Sequence, residues 1–516
     1  MVPDQQTPPP PTMRLPASPP AERAGAASGF ATGKRWLDGA IFLLFMLFAI
    51  LLPHSIKGAQ HAWRLAFFLW LIKLAVERKR PWPQPLAAPL LAYVVLSGIS
   101  TALSPDPYLS WDRMKIVCLV LAGIVVAQNL KRLSQVRILV FLLVLAGLAA
   151  AGFTAWQYTY GVGVQVTYIV GGTPLSRAGV RPDDIVTQVN GQEVHTPAQL
   201  KRAVLQSPPG AMLHFDLLRS FPFHEKEAYV KREGVMQSGL DTPSLQFARG
   251  KPSRAQGSLG NYVVFAEMLM QIGCMAWAMM LNTQSRSRGL QILFAITFLA
   301  LAATIFVTET RAAIVGLALG CFAALLLLAR KRVRIWSASV LILLLLCGGL
   351  WIRHVRGISW MDTHGAGTNF RILMWEDGLR LARQHPWFGV GMETTRLHYQ
   401  EWNLRGIEQY RVISHFHSDA IQIAAERGLP ALAAWLWFVV AYAVFLFRLV
   451  GKARQRSQFA AGVAAGGLAG LLAFLVPSLV HYNLGEEPLV MMLFFYYGLA
   501  VAVDHMLGEP GAVDVP

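Results

Sequence analysis

Long apolar runs alternate with short polar segments along most of the chain. A run of about 18 or more apolar residues without charge is long enough to cross a membrane as a helix. The pattern therefore predicts an all-α, polytopic membrane protein with about 12 transmembrane helices. The predicted spans are 37–54, 61–77, 86–104, 114–130, 136–158, 259–281, 289–308, 311–329, 333–352, 428–447, 457–478 and 487–506.

Two polar segments are too long to be ordinary connections between spans, and they divide the chain into regions. The first 20 residues include eight prolines, which favour polyproline and coil, so the chain is predicted to begin with a disordered, Pro-rich tail. In order, the predicted regions are the tail 1–36, spans one to five in 37–158, a polar insertion at 159–258, spans six to nine in 259–352, a large polar loop at 353–427, spans ten to twelve in 428–507, and a short tail at 508–516.

Basic residues are placed regularly between the spans. Lys and Arg outnumber Asp and Glu by 46 to 29, a net charge of +17, which in a soluble protein would point to nucleic acid. Here the basic residues cluster after each even-numbered span, as the positive-inside rule requires, so no nucleic-acid partner is predicted. Both tails are predicted to be cytoplasmic and both long polar segments to lie on the outer side. The clusters are Arg78-Lys79-Arg80, Lys131-Arg132 with Arg137, Arg286 with Arg288, Arg330-Lys331-Arg332 with Arg334, and Arg448 with Lys452, Arg454 and Arg456.

The first polar segment has the pattern of a small α+β domain. Residues 164–170 are rich in β-formers, and Asn190-Gly191 between apolar runs is a strong hairpin signal. A helix is predicted at 197–205 and a strand at 212–219. This order, with Ala-Gly-Val-Arg-Pro-Asp-Asp-Ile at 178–185, resembles bacterial PDZ domains, although Asp183 stands where the pattern usually has Gly.

PDZ domains bind chain termini by strand addition and hold the terminal carboxylate on a turn of backbone N–H groups. Val162, Gly163 and Val164 have the apolar-Gly-apolar pattern of that turn, so the resemblance implies a peptide-terminus partner at these residues. The alternative is that they are only the start of a strand beside the membrane.

Three polar segments lie at the ends of predicted spans, where charged residues are costly and usually have a function. The first of them contains Arg311. It lies in Thr-Glu-Thr-Arg-Ala-Ala at 308–313, where it begins a predicted helix. A guanidinium beside free helix N–H groups is typical of a site for a phosphate-type anion. The alternative is an interfacial arginine that snorkels to water.

A second polar segment, 369–376, predicts an amphipathic helix near the membrane. Arg371 and Trp375 are four residues apart and share one face of it. His-Pro-Trp-Phe-Gly-Val-Gly follows at 385–391. The alternative is a solvated helix with ordinary interfacial residues.

The third segment contains His415 and His417 and leads into the tenth predicted span. A histidine at the membrane rim can act as a general base near neutral pH. No metal site is predicted, because residues two apart do not share a helix face and no acidic or cysteine cluster completes one. All four cysteines lie in apolar runs, so neither a disulfide framework nor a cysteine metal site is predicted. A purely structural histidine pair is the alternative.

Together these segments resemble the O-antigen ligase family of membrane glycosyltransferases, which has about twelve spans and a large outer loop that ends at a catalytic histidine. The most specific match is His417-Ser418, followed after nine residues by Gly428. At Ala431 the family prefers Gly, Thr or Tyr. The strings that carry the resemblance are Arg-Ala-Gln-Gly-Ser-Leu-Gly-Asn-Tyr at 254–262 and the segments 308–313, 369–375, 385–391 and 415–430.

The resemblance implies a mechanism residue by residue. Arg311 and Arg371 would clamp the diphosphate of a polyprenyl-diphosphate-linked glycan, and His417 would take the proton of an acceptor hydroxyl. Transfer would be inverting and would need no metal or cofactor. The site would lie on the periplasmic face of a bacterial inner membrane, among membrane lipids. The residues that would contact substrate are Arg254, Asn261 and Trp375.

Several functions remain open at this point. A lipid A-core acceptor would make the protein a ligase of lipopolysaccharide biosynthesis, whereas a growing glycan would make it a repeat-unit polymerase. A protein acceptor would make it an O-oligosaccharyltransferase, which a PDZ domain that binds protein termini favours. From a different class, the chain could be a non-enzymatic scaffold or transporter that presents the PDZ domain, although its spans are mostly free of mid-membrane charge.

The alternation of basic clusters predicts that 159–258 and 353–427 both lie outside the cytoplasm. A single cysteine introduced within 195–205 of a variant without the four native cysteines should react with a membrane-impermeant thiol reagent in cells whose outer barrier is permeabilised. Labelling only after lysis would invert the predicted topology.

Overall fold

A computed structural model describes residues 21–78, 80–220, 223–240, 243–250, 254–282, 287–328, 339, 366–409 and 415–508. Within these residues the protein is mostly helical, with one antiparallel sheet formed by the inserted segment. The predicted ninth span, 333–352, lies outside the described residues except for residue 339. Helix α1 begins at Ala21, so part of the segment that was predicted to be a disordered tail is helical.

Seven helices in the described part of the chain are long and apolar enough to cross a membrane, so the protein is multi-pass, but the predicted count of 12 is not reproduced. The seven candidate spans are Leu133–Tyr160, Tyr262–Asn282, Arg288–Thr308, Arg311–Leu328, Leu429–Arg454, Gln458–Ser478 and Glu487–Gly508. The helices are α1 Ala21–Leu51, α2 Ile56–Glu77, α3 Ala87–Ala102, α4 Pro107–Val117, α5 Val120–Asn129, α6 Leu133–Tyr160, α7 Pro174–Arg177, α8 Pro197–Gln206, α9 Arg232–Gln237, α10 Tyr262–Asn282, α11 Arg288–Thr308, α12 Arg311–Leu328, α13 Ala366–Gln384, α14 Arg405–Gln409, α15 Asp419–Arg427, α16 Leu429–Arg454, α17 Gln458–Ser478 and α18 Glu487–Gly508.

The fourth predicted span is not one continuous helix. Helix α4 ends at Val117 and helix α5 begins at Val120, and α4 occupies most of the segment that was expected to be a loop. Pro107 is well suited to the first turn of α4, because proline lacks an N–H and has a fixed φ. Hydropathy averaged over the segment does not reveal the break.

The centre of the helical bundle is formed by α10, α17 and α18, which are the most buried of the seven candidate spans. Small residues allow close contact there: a Cβ at Gly320 of α12 would lie 2.6 Å from the Ala469 carbonyl oxygen of α17. In a membrane, van der Waals packing at small residues is a main source of helix association. These helices therefore form a rigid support for the polar segments at their ends.

The segment that follows the undescribed stretch packs around its own small core, which includes Met374, Leu381 and Phe416. Asp377 of α13 is fully buried and ties the segment together. Its carboxylate accepts from Gly406 N at 2.9 Å and from Arg380 Nη2 at 2.9 Å. The predicted amphipathic helix is thereby confirmed as α13, and its position relative to α14 is fixed by a buried hydrogen-bonded carboxylate.

The inserted segment forms an antiparallel sheet in the order β5-β4-β2-β1-β6, with β3 paired to β2. The predicted strands at 164–170 and 212–219, the Asn190-Gly191 turn and the helix at 197–205 are all confirmed. Strand β6, which pairs with β1 and returns the chain to the bundle, was not predicted. The strands are β1 Gly163–Ile169, β2 Ile185–Val189, β3 Gln192–Glu193, β4 Met212–Ser220, β5 Phe223–Lys231 and β6 Leu245–Gly250.

Asp183, the departure from the PDZ pattern, has a left-handed backbone with φ of 69°. Glycine adopts this conformation without strain and aspartate is among the residues that tolerate it, so the structure explains both the usual Gly and its replacement. The next residue, Asp184, is buried and accepts two bonds from Arg219, from Nε at 2.7 Å and from Nη2 at 2.6 Å. This buried pair joins the turn to β4.

Arg219→Gln should destabilise the inserted domain by about 3–5 kcal/mol, because it leaves Asp184 buried without its guanidinium partner. Arg177→Gln, at an exposed position of the same domain, is the matched control. The temperature at which a protease begins to cut within 163–250 of the full-length protein measures the effect. Equal resistance of the two variants would contradict this role of the pair.

Candidate active site

The polar segments singled out by the sequence meet at one end of the helical bundle, here called the rim. The rim comprises residues 254–261, the turn between α11 and α12, helix α13 and residues 415–418. Ala255 N donates to the Val307 carbonyl at 3.3 Å, which joins the first two of these. The Trp375 indole Nε1 donates to the His417 carbonyl at 3.3 Å, which joins the last two.

His417 is held in a strained conformation. Its φ is 50°, in the left-handed region that residues other than glycine rarely adopt. The preceding residue, Phe416, is fully buried and its N–H donates to Gln422 Oε1 at 2.7 Å, so the backbone before His417 is fixed. The Phe370 ring packs edge-on against the imidazole, with ring centroids 5.1 Å apart. Such strain persists only where the surroundings impose it, and it is concentrated at functional sites.

The imidazole of His417 is neutral and has an unused nitrogen. Within the described part of the chain, no group hydrogen-bonds its buried Nε2. Burial lowers the pKa of His417 far below its usual value, and positive charge at His415 and Arg371 lowers it further. Burial likewise lowers the pKa of His415 to about 4. A neutral imidazole with a free Nε2 can accept a proton from a substrate hydroxyl.

Arg371 and Arg311 lie close to each other. Burial lowers the pKa of the Arg371 guanidinium, and the neighbouring charge of Arg311 lowers it further. Arg311 is the first residue of α12, and among the described residues no carboxylate lies within ion-pair distance of it. Two adjacent guanidinium groups beside a helix N-terminus repel one another and favour a multiply charged anion between them.

Arg254 and Asn261 also lie at the rim, where both have structural partners. Arg254 Nε is 3.5 Å from Glu309 Oε2, and its guanidinium lies over the Tyr262 ring at 4.6 Å. The Asn261 side chain accepts from Val263 N at 2.9 Å and caps the start of α10. These contacts fix the position of 254–261 beside the α11–α12 turn.

The segment 385–391 forms a backbone brace under the site. Val390 N and Gly391 N donate to the carbonyls of Ala425 and Glu426 at 3.1 and 2.8 Å, at the end of α15. Leu429 N donates to the Pro386 carbonyl at 2.7 Å. Because α15 follows His417 almost directly, this brace holds the segment that contains His417 against the bundle.

Gly389 and Gly428 let these backbones approach. Both have positive φ, 63° and 86°, and a Cβ on Gly428 would lie 2.2 Å from the Trp387 carbonyl oxygen. No side chain fits at that distance, so Gly428 of the His417 motif has a steric role rather than a chemical one.

Several buried polar groups that support the site were not assigned a role from the sequence. Glu267 of α10 is fully buried and its Oε1 lies 2.7 Å from His481 Nδ1. Arg427 donates from Nη2 to the Tyr482 hydroxyl at 3.0 Å and from Nη1 to the Tyr93 hydroxyl. A charged residue inside an apolar run was the available signal for Glu267, but the sequence gives no indication of its partner.

Val162 immediately precedes strand β1, and Gly163 and Val164 are its first two residues. Gly163 and Val164 belong to β1 and pair with β6 on one side, while Val164 also pairs with Val186 of β2. Val162 N donates to the Gly250 carbonyl at 2.9 Å. These residues therefore stand at the start of a strand, and peptide-terminus binding there stays a prediction.

One group in the described part of the chain has distances that suit a metal ion, namely His214, Asp216 and Glu227. It lies on the β4–β5 hairpin of the inserted domain, with His214 stacked on Tyr229 and the Tyr229 hydroxyl donating to Glu227 at 2.6 Å. Neither His415 nor His417 belongs to it. The rim therefore shares no residue with this candidate metal group.

Comparison with protein families agrees with the motifs. Residues 295–436 match the family model described as O-antigen ligase, and residues 165–219 match that of the PDZ domain. The resemblance to O-antigen ligases with an inserted PDZ-like domain is thereby confirmed. The first match includes Arg311, Arg371 and His417 and supports an enzyme of the ligase or glycosyltransferase type. No curated protein gives a significant match to the chain.

Gly428→Ala should disrupt the brace, because the methyl group meets the Trp387 carbonyl and the left-handed backbone alone costs about 1–2 kcal/mol. A lower midpoint of thermal unfolding for the detergent-solubilised protein is expected. Gly451→Ala in α16, where a Cβ would meet nothing within 4 Å, is the control and should be neutral or stabilising. Identical midpoints for both variants would show that the close approach is unimportant.

Proposed function

We propose that the protein transfers a glycan from a polyprenyl-diphosphate donor to an acceptor hydroxyl at the periplasmic face of the bacterial inner membrane. The observation that carries the proposal is that Arg311 and Arg371 lie within electrostatic reach of each other at the rim that also presents the neutral His417. The match of 295–436 to O-antigen ligases supports the same reaction.

The two arginines suit the donor. A diphosphate offers several oxygens to guanidinium groups, which bind phosphate in a bidentate manner. The N–H groups at the start of α12 add to the attraction for an anion. A lipid-linked donor has its diphosphate at the membrane surface, and Arg311 begins the candidate membrane-spanning helix α12, whereas Arg371 lies on the amphipathic helix α13 at the same rim. As the bond to the sugar breaks, they stabilise the charge that develops on the diphosphate.

His417 suits the acceptor. In the transfer step, the acceptor oxygen forms a bond with the anomeric carbon while the bond from that carbon to the diphosphate oxygen breaks. The hydroxyl proton passes to His417 Nε2, and the diphosphate leaves with the bonding electrons. The negative charge of the bound donor offsets the repulsion from Arg371 and thereby makes protonation of His417 more favourable. Attack from the face opposite the leaving group inverts the anomeric configuration.

The residues around these three groups have supporting roles. Trp375 fixes the His417 carbonyl, and Arg254 and Asn261 hold 254–261 beside Arg311, where they are placed to contact the donor. The basic clusters support a periplasmic position for the rim. The inserted domain favours a protein acceptor, whereas the family match favours lipid A-core. We therefore propose the transfer of the glycan itself, with the protein and lipid A-core acceptors as the two alternatives for experiment.

His417→Ala should reduce transfer from a purified lipid-linked donor by about 10²–10⁴-fold, because it removes the base. His415→Ala should be much milder, because the family motif places the base at His417 rather than at His415. Arg311→Lys and Arg371→Lys should both be damaging, because a lysine cannot reproduce bidentate contact.

Arg448→Lys, in the last turns of α16 and within a predicted cytoplasmic cluster, is the control for the arginine variants. Membrane content of every variant should match the wild type. Near-normal transfer by His417→Ala would show that the base assignment is wrong. Absence of transfer by the purified wild-type protein would favour the non-enzymatic scaffold interpretation.

A further inference from the structure

The outer face of the β4–β5 hairpin in the inserted domain carries four polar residues in a two-by-two arrangement. His214 and Asp216 are two apart on β4, and Glu227 and Tyr229 are two apart on β5, so each pair points to one face of the sheet. In the strand register His214 lies opposite Tyr229, and Asp216 lies opposite Glu227. The residue between the first two, Phe215, is buried in the domain core. The four polar side chains therefore lie together on the face that points away from that core.

Two of these residues bring like charges together. Asp216 and Glu227 occupy directly opposite positions on neighbouring strands, where two negative charges destabilise a sheet. Among the described residues, no lysine or arginine lies within ion-pair distance of either carboxylate, and the only basic side chain that does is His214. A cation held between the two carboxylates would remove their repulsion.

The distances between the donor atoms match those around a zinc ion. His214 Nε2 lies 3.4 Å from Asp216 Oδ1 and 3.4 Å from Glu227 Oε2. This nitrogen is buried, and within the described part of the chain it has no hydrogen-bond partner. Zinc lies about 2.0–2.2 Å from nitrogen and oxygen ligands, so two ligand atoms of a tetrahedral site are about 3.3–3.6 Å apart. The three side chains are therefore spaced to hold such an ion without rearrangement of the hairpin.

Tyr229 orients two of the three side chains. Its ring stacks on the His214 imidazole, with centroids 4.6 Å apart and planes 9° apart. Its hydroxyl donates to Glu227 Oε2 at 2.6 Å. Residues that bind metals are usually held by such outer contacts, which fix the ligand and tune its affinity for the ion. The imidazole and one carboxylate are thus positioned before any ion binds.

We propose that His214, Asp216 and Glu227 bind a Zn²⁺ ion through Nε2, Oδ1 and Oε2. Three protein ligands leave the fourth tetrahedral position to water. The imidazole ligand favours zinc over Mg²⁺ and Ca²⁺, which prefer oxygen ligands alone. The ion neutralises the opposed carboxylates and fastens β5, the edge strand, to β4. The proposal is independent of the proposed function, because the site shares no residue with the rim.

The alternative is that a protonated His214 alone neutralises the two carboxylates. The same domain contains a matched comparison for this alternative. His195 Nε2 lies 3.4 Å from Glu193 Oε2, the same separation, but it contacts one carboxylate and not two. A histidine–carboxylate contact of the ordinary kind is thus present at His195, and only the group at His214 offers a third ligand. His195→Phe is therefore the control for His214→Phe.

The experiment measures Zn²⁺ affinity of the full-length protein, purified in detergent with a histidine-free tag and stripped of metal, by competition with a chromogenic zinc indicator. His214→Phe and Glu227→Gln should each weaken binding by more than about 100-fold, because loss of even an outer-shell partner costs 10–100-fold. Tyr229→Phe, which keeps the ring and loses the hydroxyl, should weaken it by about 10-fold. His195→Phe should bind as the wild type does, and Mg²⁺ and Ca²⁺ should not displace the zinc.

The temperature at which a protease begins to cut within 163–250 gives a second measurement. Zn²⁺ should raise it in the wild type and in His195→Phe but not in the two ligand variants, because an ion that binds only the folded site stabilises the domain. Without metal, Glu227→Gln should be at least as resistant as the wild type, since one of two opposed charges is gone, so it remains a test should His214→Phe fail to fold.

Three results would overturn the zinc site. They are no zinc binding by the wild type, wild-type affinity in a folded ligand variant, and an equal loss of affinity in His195→Phe. The second and third would show that zinc binds adventitiously to other histidines, and the first would leave His214 as an ordinary counter-charge for Asp216 and Glu227. None of these results bears on glycan transfer at the rim.

Discussion

Two guanidinium groups within electrostatic reach of each other at the end of a helical bundle repel each other, and the proposed site depends on this unfavourable interaction. Arg371 is partly buried, which lowers the pKa of its guanidinium, and the charge of Arg311 lowers it further. In a medium of low dielectric constant such repulsion is not well screened. A bound diphosphate would attract both guanidinium groups. The fold already holds the two groups near each other in the free protein, so bringing them together requires no further free energy when the anion binds.

The remainder of the site can be understood as support for that arrangement. The brace from 385–391 fixes the end of α15, and the buried Phe416 and the left-handed His417 place an imidazole beside the arginines. Because His417 is buried and positive charge lies nearby, it stays neutral without a carboxylate partner. In the proposed reaction, leaving-group stabilisation and base strength are linked, because the anion that the arginines would bind is also the charge that would let His417 hold a proton.

Much of this could be predicted from the sequence, because the signals are local. The strands and the turn of the inserted domain, the helix α13 and the motifs around Arg311, Arg371 and His417 each lie within a few neighbouring residues. The break between α4 and α5 was missed, because hydropathy averages over it. Glu267 and His481 are 214 residues apart, and no local pattern pairs residues at that separation. Strand β6 was missed for a similar reason, since it gains its stability from pairing with the distant β1.

The central claim, that the two arginines hold one diphosphate, is tested most directly by a double-mutant cycle on donor binding. Binding of polyprenyl diphosphate to the purified protein is measured for the wild type, Arg311→Gln, Arg371→Gln and the double variant, at one fixed salt concentration. If both groups hold the same anion, the two losses of binding free energy are not additive and differ from their sum by about 0.5–3 kcal/mol. Strictly additive losses, or wild-type affinity in either single variant, would contradict a shared diphosphate site.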